Sequence, residues 1–357
     1  MSYLAKVYQS RGLRVGLDLF GRTLWRVPGC FHIANWFGPR YSLRCVNFHH
    51  IADSESLFTR GLGVTIKPKD FESALKFITK HYTPVRLQDV LVSSHSGTLP
   101  LRPLLVTFDD AYASVYDVAA PLCKLYGVPA VFFVNAAFLD NTKLALSNLV
   151  CYAVNVIGID AVSAAAFCLT AKPVKLRSLE SVLNVLLPET SLPAQEAFRK
   201  ALVDQLKTSE SELAEMAQLY LTRGQLGDLA TFDFEIGNHT YSHVRCRQLA
   251  GKSLRLEIDR NKTELEGVSG QVVSSFSIPY GSRKDLSDEL VLHLQGAGYT
   301  AAFLAEGMPN QPLTSHFDLD RISINAAGEA ALFSNIEVLP RFRAIGKWIS
   351  GNSDFRA

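Results

Sequence analysis

The chain has 357 residues, of which 48% are hydrophobic, 20% charged and 10% aromatic, with 23 glycines and 15 prolines. This balance is that of a folded globular protein and excludes a disordered chain, a collagen, a coiled coil and a disulfide-dense mini-protein. The length accommodates one large α/β domain or two ordinary ones.

Net charge is +2 but unevenly spread. Within residues 1–44, Lys6, Arg11, Arg14, Arg22, Arg26, Arg40 and Arg44 stand against Asp18 alone. A nucleic-acid binder is basic across its domain rather than in one arm, so no nucleic-acid partner is expected. The arm, residues 1–41, interleaves its cations with Val7, Tyr8, Leu13, Val15, Leu17, Phe20, Leu24 and Trp25. Such a basic amphipathic segment predicts either peripheral contact with an anionic membrane through residues 1–40, or packing over the rest of the protein or another copy. The six cysteines form no CxxC pair and read as reduced, buried thiols. No secretory leader pattern is visible, and the longest apolar stretch, 144–169, is broken by Asn148, Asn155, Gly158 and Asp160. The expected location is cytoplasmic, with peripheral attachment at the inner face of the membrane following only from the first of these two readings of the arm.

In chain order, a buried strand is expected at Leu43–Phe48, ending in His49 and His50. A helix with apolar spacing covers residues 68–81, and a weak strand lies at Pro84–Arg86. The run Leu104–Phe108 ends in Asp109 and Asp110, a helix covers about 113–126, and Ala130–Val134 is another apolar strand. Residues 140–230 break the rhythm with a mainly helical insertion. Strands then follow at Phe234–Gly237, Val272–Ser277, Tyr299–Leu304 and Leu319–Ile324, with helices at about 251–266, 285–296 and 328–349. This pattern predicts an α/β fold, a distorted (β/α)7-type barrel over residues 42–350 with an N-terminal helical arm.

Three segments at strand ends carry chemistry. In Thr107–Phe108–Asp109–Asp110, adjacent carboxylates point different ways; one is available to bind a metal and the other to act as a base, and the pair also suits a helix N-cap. In Gly237–Asn238–His239–Thr240–Tyr241–Ser242–His243, two histidines at i and i+4 on a helical turn face one side, a spacing that holds a divalent metal. Asp110 completes a His₂Asp set with open positions. Phe276–Ser277–Ile278–Pro279–Tyr280–Gly281 is a strand ending in a turn.

TFDD, GNHTYSH and the PYG segment, in this order, resemble the first three motifs of the polysaccharide deacetylases, the NodB-homology group or carbohydrate esterase family four. The resemblance covers about residues 42–325 and includes VNFHHI and LDRISI. It implies removal of an N-acetyl group from a sugar of a polysaccharide, oligosaccharide or glycolipid, by water activated at a divalent metal. By the resemblance Asp109 is the general base; Asp110, His239 and His243 hold the metal, zinc in most members and nickel or cobalt in some; Pro279 and Tyr280 line the pocket, with the Tyr280 backbone N–H on the oxyanion.

Two departures stand out. Many members begin the third motif with an Arg that pairs with the base; here the position is Ser277, and Arg321 is the expected substitute. The usual Leu-x-His acid motif is missing, since His293 falls in a helix and His316 in a polar loop. The circularly permuted branch takes its acid from the N-terminal strand, which implies His49, with His50 as second choice. His32, His81 and His95 are expected at the surface, and Arg341, Arg343 and Lys347 on a solvated helix face. A different amide hydrolase of this fold, such as a deformylase, and a carbohydrate-binding pseudoenzyme are the competing functions.

Overall fold

The structure, a computed structural model, describes residues 11–29, 42–96, 99–170, 176–232, 234–311, 314–325 and 327–349. Most of the expected arm, including His32, lies outside the described residues. The strands are β1 (Arg44–Phe48), β2 (His50–Ile51), β3 (Thr65–Ile66), β4 (Thr83–Pro84), β5 (Pro103–Phe108), β6 (Ala130–Val134), β7 (Glu235–Asn238), β8 (Ser275–Ser277), β9 (Ala301–Phe303) and β10 (Ile322–Ser323).

The main sheet runs β10-β1-β5-β6-β7-β8-β9, with β4 added beside the start of β5, and its pairings are parallel. A parallel sheet is covered on both faces, so its strands are apolar throughout rather than alternating; hence LLVTF and AVFFV. The segment around β10 closes the ring. Leu319 bridges to Phe303 of β9, and three residues on Ile322 lies opposite Val46 of β1. The result is the distorted seven-stranded (β/α) barrel. The segment 272–277 yields a strand only at 275–277, and the Val273 N–H donates to the Glu266 carboxylate instead of a neighbouring strand.

Successive strand residues face opposite sides, and the packing sorts them accordingly. Val46, Phe48, Val106, Phe108, Phe132 and Val134 pack with helix residues such as Phe71, Leu75, Ile258 and Leu265 in the outer core. Cys45, Leu105, Val131, Phe133, Ala301, Phe303 and Leu319 fill the barrel interior, joined from below by Val85, Leu87 and Val90. Gly237 faces inward too, and any side chain there would collide with the Phe133 ring. The same parity carries Asn47, Thr107, Asp109, His239, Ser277 and Arg321 toward the barrel axis near its carboxyl end.

Between β6 and β7 the chain forms helices at Leu146–Ala165, Leu192–Leu206, Glu210–Ala217 and Arg223–Thr231, with shorter turns between. Phe138, Leu149, Val150, Phe198, Leu202, Leu213 and Tyr220 give this region a second core. The helix Leu146–Ala165 is long and apolar enough by composition to cross a membrane. Leu149, Val150, Ala153 and Val162 nevertheless face the second core, and Gly158 interrupts it with φ 84°.

The helix Arg11–Leu24 lies against the C-terminal helical segment 329–349. Trp25 packs between Phe77, His81 and Phe333 at 5.2–5.7 Å, so His81 is a packing residue rather than a surface one. Arg341 and Arg343 are likewise engaged. Arg343 donates to the carbonyls of Glu306 and Gly307. Arg341 joins Arg44 and the Tyr82 hydroxyl on the buried Glu337 carboxylate, at 2.6, 3.1 and 2.7 Å, tying the start of β1 to the C-terminal helix. Removing one member of a buried ionic cluster leaves the others uncompensated. Glu337→Gln is therefore expected to lower stability by about 3 kcal/mol in urea denaturation, with the slope of the transition unchanged.

Candidate active site

Asp110, His239 and His243 converge at the carboxyl end of the barrel. The Asp110 Oδ1 atom lies 3.4 Å from His239 Nε2 and 3.2 Å from His243 Nε2, and one donor atom from each residue falls within 4.8 Å of the other two. His239 directly follows β7 and is buried. Its Nδ1 donates to the Ser277 carbonyl at 2.8 Å, which leaves the Nε2 lone pair facing Asp110. This is the arrangement that orients a metal-ligating imidazole. Residues 239–245 form an irregular loop rather than the expected helical turn. The two histidines meet because Thr240 and His243 adopt left-handed backbone angles, φ 60° and 56°, bringing the rings to 5.0 Å. Asp110, Ala111 and Tyr280 are left-handed as well. Non-glycine residues held this way cluster at functional sites.

The electrostatics suit a cation. Burial would raise the Asp110 pKa, but His243 and His239 outweigh it and hold the carboxyl well below its usual range. Burial pushes His243 down to about 4 despite Asp110, so this imidazole is neutral at neutral pH. His239 goes the other way: burial lowers it, yet Asp109 and Asp110 together raise it. Two imidazole nitrogens and a carboxylate oxygen form a donor set that fits zinc with positions to spare.

Asp109 sits beside this cluster, its Oδ2 3.8 Å from His239 Nε2. Arg321, fully buried, clasps it with two parallel bonds of 2.8 Å. The same guanidinium donates to Ser277 Oγ at 2.7 Å and to the Leu304 carbonyl at 3.0 Å. Asn47 adds a 2.9 Å bond to Asp109 Oδ2. Burial would raise the Asp109 pKa; Arg321 first and His239 second bring it below the ordinary value. Ser277 serves as an acceptor for Arg321.

His49 lines the pocket with Asp109, Asp110, His239 and His243, and its Nε2 is 3.4 Å from Asn47 Nδ2. His50 belongs to β2, bonds Thr65 Oγ1 at 3.1 Å and packs on Tyr112 at 5.0 Å, and it does not line the pocket. Tyr280 lines the pocket; Pro279, expected beside it, does not. Pro279 is buried and opens the turn 279–281, where its fixed φ suits the first position. Gly281 takes its place in the wall: its φ is +64°, and a Cβ there would strike Ala305. His293 bonds Asp259 at 2.8 Å, and neither His293 nor His316 lines this pocket.

The pocket has a volume of about 420 Å³. Its far wall comes from the insertion, through Ser147, Leu179, Glu180, Leu183 and Asn184, and from the loop carrying Gly61, Leu62 and Val64. These wall residues carried no motif in the sequence. Asn47 did leave a signal, as a polar residue inside an apolar strand.

A family profile described as polysaccharide deacetylase matches residues 196–302, which include His239, His243 and Tyr280 but neither Asp109 nor Asp110. Poly-β-1,6-N-acetyl-D-glucosamine N-deacetylase of Staphylococcus aureus is 30% identical over 71 residues, 20% of this chain and 24% of that protein. The Staphylococcus epidermidis enzyme of the same name is 26% identical over 86 residues, 24% of this chain and 30% of its own length. The chain thus matches less than a third of the length of these curated relatives. Among solved structures, a Streptococcus pyogenes deacetylase in complex with acetate aligns over 84% of this chain and 100% of its own, at 14% identity and a TM-score of 0.55. IcaB from Ammonifex degensii aligns over 82% and 97%, at 17% identity and a TM-score of 0.51. These two share the fold. The chain therefore resembles the polysaccharide deacetylases in its ordered motifs, in the profile match over residues 196–302 and in the fold of these solved structures.

Proposed function

We propose that this protein is a divalent-metal-dependent hydrolase that removes the N-acetyl group from an N-acetylated sugar of a polysaccharide, oligosaccharide or glycolipid. The observation that carries the reading is the convergence of Asp110, His239 and His243 beside a second carboxylate, Asp109, locked by Arg321. Asp110, His239 and His243 would hold the ion, zinc by donor type; when bound, it supplies Lewis acidity that lowers the pKa of a water and polarises the acyl carbonyl. Asp109 stays ionised because of Arg321 and accepts the proton of the attacking water. The backbone N–H of Tyr280 donates to the developing oxyanion. His49, across the pocket, protonates the departing amine. The curated relatives are named for poly-β-1,6-N-acetyl-D-glucosamine, so oligomers of that sugar are the first substrates to assay.

The N-terminal helix supports a place of work at a membrane. Val15, Leu19 and Phe20 are 62%, 64% and 52% exposed. Val15, Leu19 and Arg22 fall on one stripe of this helix, with Arg22 also paired to Asp18 at 2.8 Å, and Arg26 follows just beyond its end. Apolar and basic residues on one exposed stripe suit an anionic lipid surface, such as the inner face of a membrane, where a lipid-linked saccharide would be presented.

Three outcomes are expected. Purified protein loaded with zinc releases acetate from the oligomers, His49→Ala lowers kcat by at least 10²-fold, and His50→Ala leaves it within a few-fold; equal losses in the two variants would count against His49 as the acid. Arg321→Ala removes what holds the Asp109 pKa down, so burial raises it. The acid limb of the kcat/KM profile then moves to higher pH, and turnover at neutral pH falls at least tenfold; an unmoved limb with full turnover rejects the pairing role. Val15→Ser/Leu19→Ser loses co-sedimentation with phosphatidylglycerol vesicles while keeping activity on soluble oligomers, and unchanged sedimentation removes the membrane reading.

A further inference from the structure

Next to the metal-site loop lies a buried carboxylate that the proposed chemistry does not use. Asp285 is fully buried, in the turn that follows the PYG segment. Its Oδ2 accepts from Arg245 Nη1 at 3.0 Å, and its Oδ1 lies 3.8 Å from Arg247 Nε. A buried carboxylate is retained only with such partners. Arg245, two residues beyond His243, is thereby held with its guanidinium 4.1 Å above the Tyr280 ring. Tyr280 in turn lies 4.8 Å from the His243 ring, tilted by 45°. The four side chains form one stack: Asp285 fixes Arg245, Arg245 covers Tyr280, and Tyr280 backs His243, which reaches Asp110 at 3.2 Å.

This stack supplies what His243 otherwise lacks. His239 is oriented by the Ser277 carbonyl. For His243 the structure gives ring contacts with His239 and Tyr280 and the approach to Asp110. Its backbone is left-handed, at φ 56°, so the chain alone does not favour its position. A planar cation over an aromatic face is an oriented contact, and here it covers Tyr280, the residue proposed to serve the oxyanion, which in turn meets the His243 ring. Arg245 is not among the residues lining the pocket.

We propose that Arg245, clamped by Asp285, is a positioning residue that holds Tyr280 against His243 and so sets both the metal affinity and the oxyanion geometry of the site. The inference rests on the reading of Asp110, His239 and His243 as metal ligands. The test is zinc affinity of the full chain, measured by competition with a chromophoric chelator, together with the visible spectrum of the cobalt-loaded protein. Removing a group that orients a ligand costs about 10–100-fold in metal affinity. Arg245→Ala is expected to weaken zinc about tenfold, to shift the cobalt bands, and to lower kcat with little change in KM. Arg245→Lys keeps the charge but not the planar fork, and falls between the two. Tyr280→Ala loses as much as Arg245→Ala, and the double variant loses no more than either, because both act through one contact. Tyr280→Phe keeps the ring and binds zinc as the parent does. Should the unmodified protein bind zinc while Arg245→Ala and Arg245→Lys bind it equally well with unchanged cobalt bands, the clamp is overturned. A rise in KM alone also overturns it, by making Arg245 a substrate contact. If the unmodified protein binds no zinc at all, the parent reading fails first and the clamp fails with it.

Discussion

A carboxylate inside a dry barrel stays charged only if a cation is fixed against it. Here one guanidinium does this for Asp109. Two-point contact with both carboxylate oxygens gives direction as well as charge, which a lysine ammonium would not. The other Arg321 donors are satisfied by Leu304, Ser277 and Thr107, so the desolvated cation is not left short of acceptors. Breaking such a pair by removing one partner is far more damaging than the pair is stabilising, because the survivor is buried alone. The reactivity proposed for Asp109 and the integrity of the upper barrel therefore depend on the same contact.

The rest of the site follows from strand parity. Inward positions low in the barrel are apolar: Cys45, Leu105, Val131, Phe133 and Phe303. One or two steps higher, the inward positions become Asn47, Thr107, Asp109, His239, Ser277 and Arg321. Each side chain is aimed by the strand beneath it. The departures from regular geometry, at Asp110, Thr240, His243 and Tyr280, occur where strands have ended and the chain must turn donor atoms toward one point. Rigid strands below and strained loops above is the division of labour that places a few groups accurately.

Much of this was legible from the residues. Apolar runs located the strands, and their number and spacing indicated a barrel rather than an open sheet. Asp110, His239 and His243 were identifiable from motifs, though for a reason that proved incomplete. The histidines meet through a loop with left-handed residues, and the i, i+4 helical spacing that drew attention to them is not their actual geometry. Parity could have separated His49 from His50 directly, since residues 45, 47 and 49 share a face. Arg321 was reachable because Ser277 left an expected cation missing. A motif names a segment and not which of its side chains reaches the cavity: of Pro279, Tyr280 and Gly281, the last two line the pocket. The insertion wall, Leu179 to Asn184, and the clamp from Asp285 through Arg245 join residues 40 or more apart in sequence by packing, and no local pattern encodes that.

The seam of the ring deserves a last thought. Between β9 and β10 the sheet is held by the pairing at Leu319, while the side chain of Arg321 reaches from that segment to Leu304, Ser277 and Asp109. The guanidinium therefore works as a cross-link across the join that closes the cylinder. Any fluctuation that unzips this join withdraws the counter-charge from Asp109 at the same moment, so the buried carboxylate would lose its partner before the barrel lost its shape.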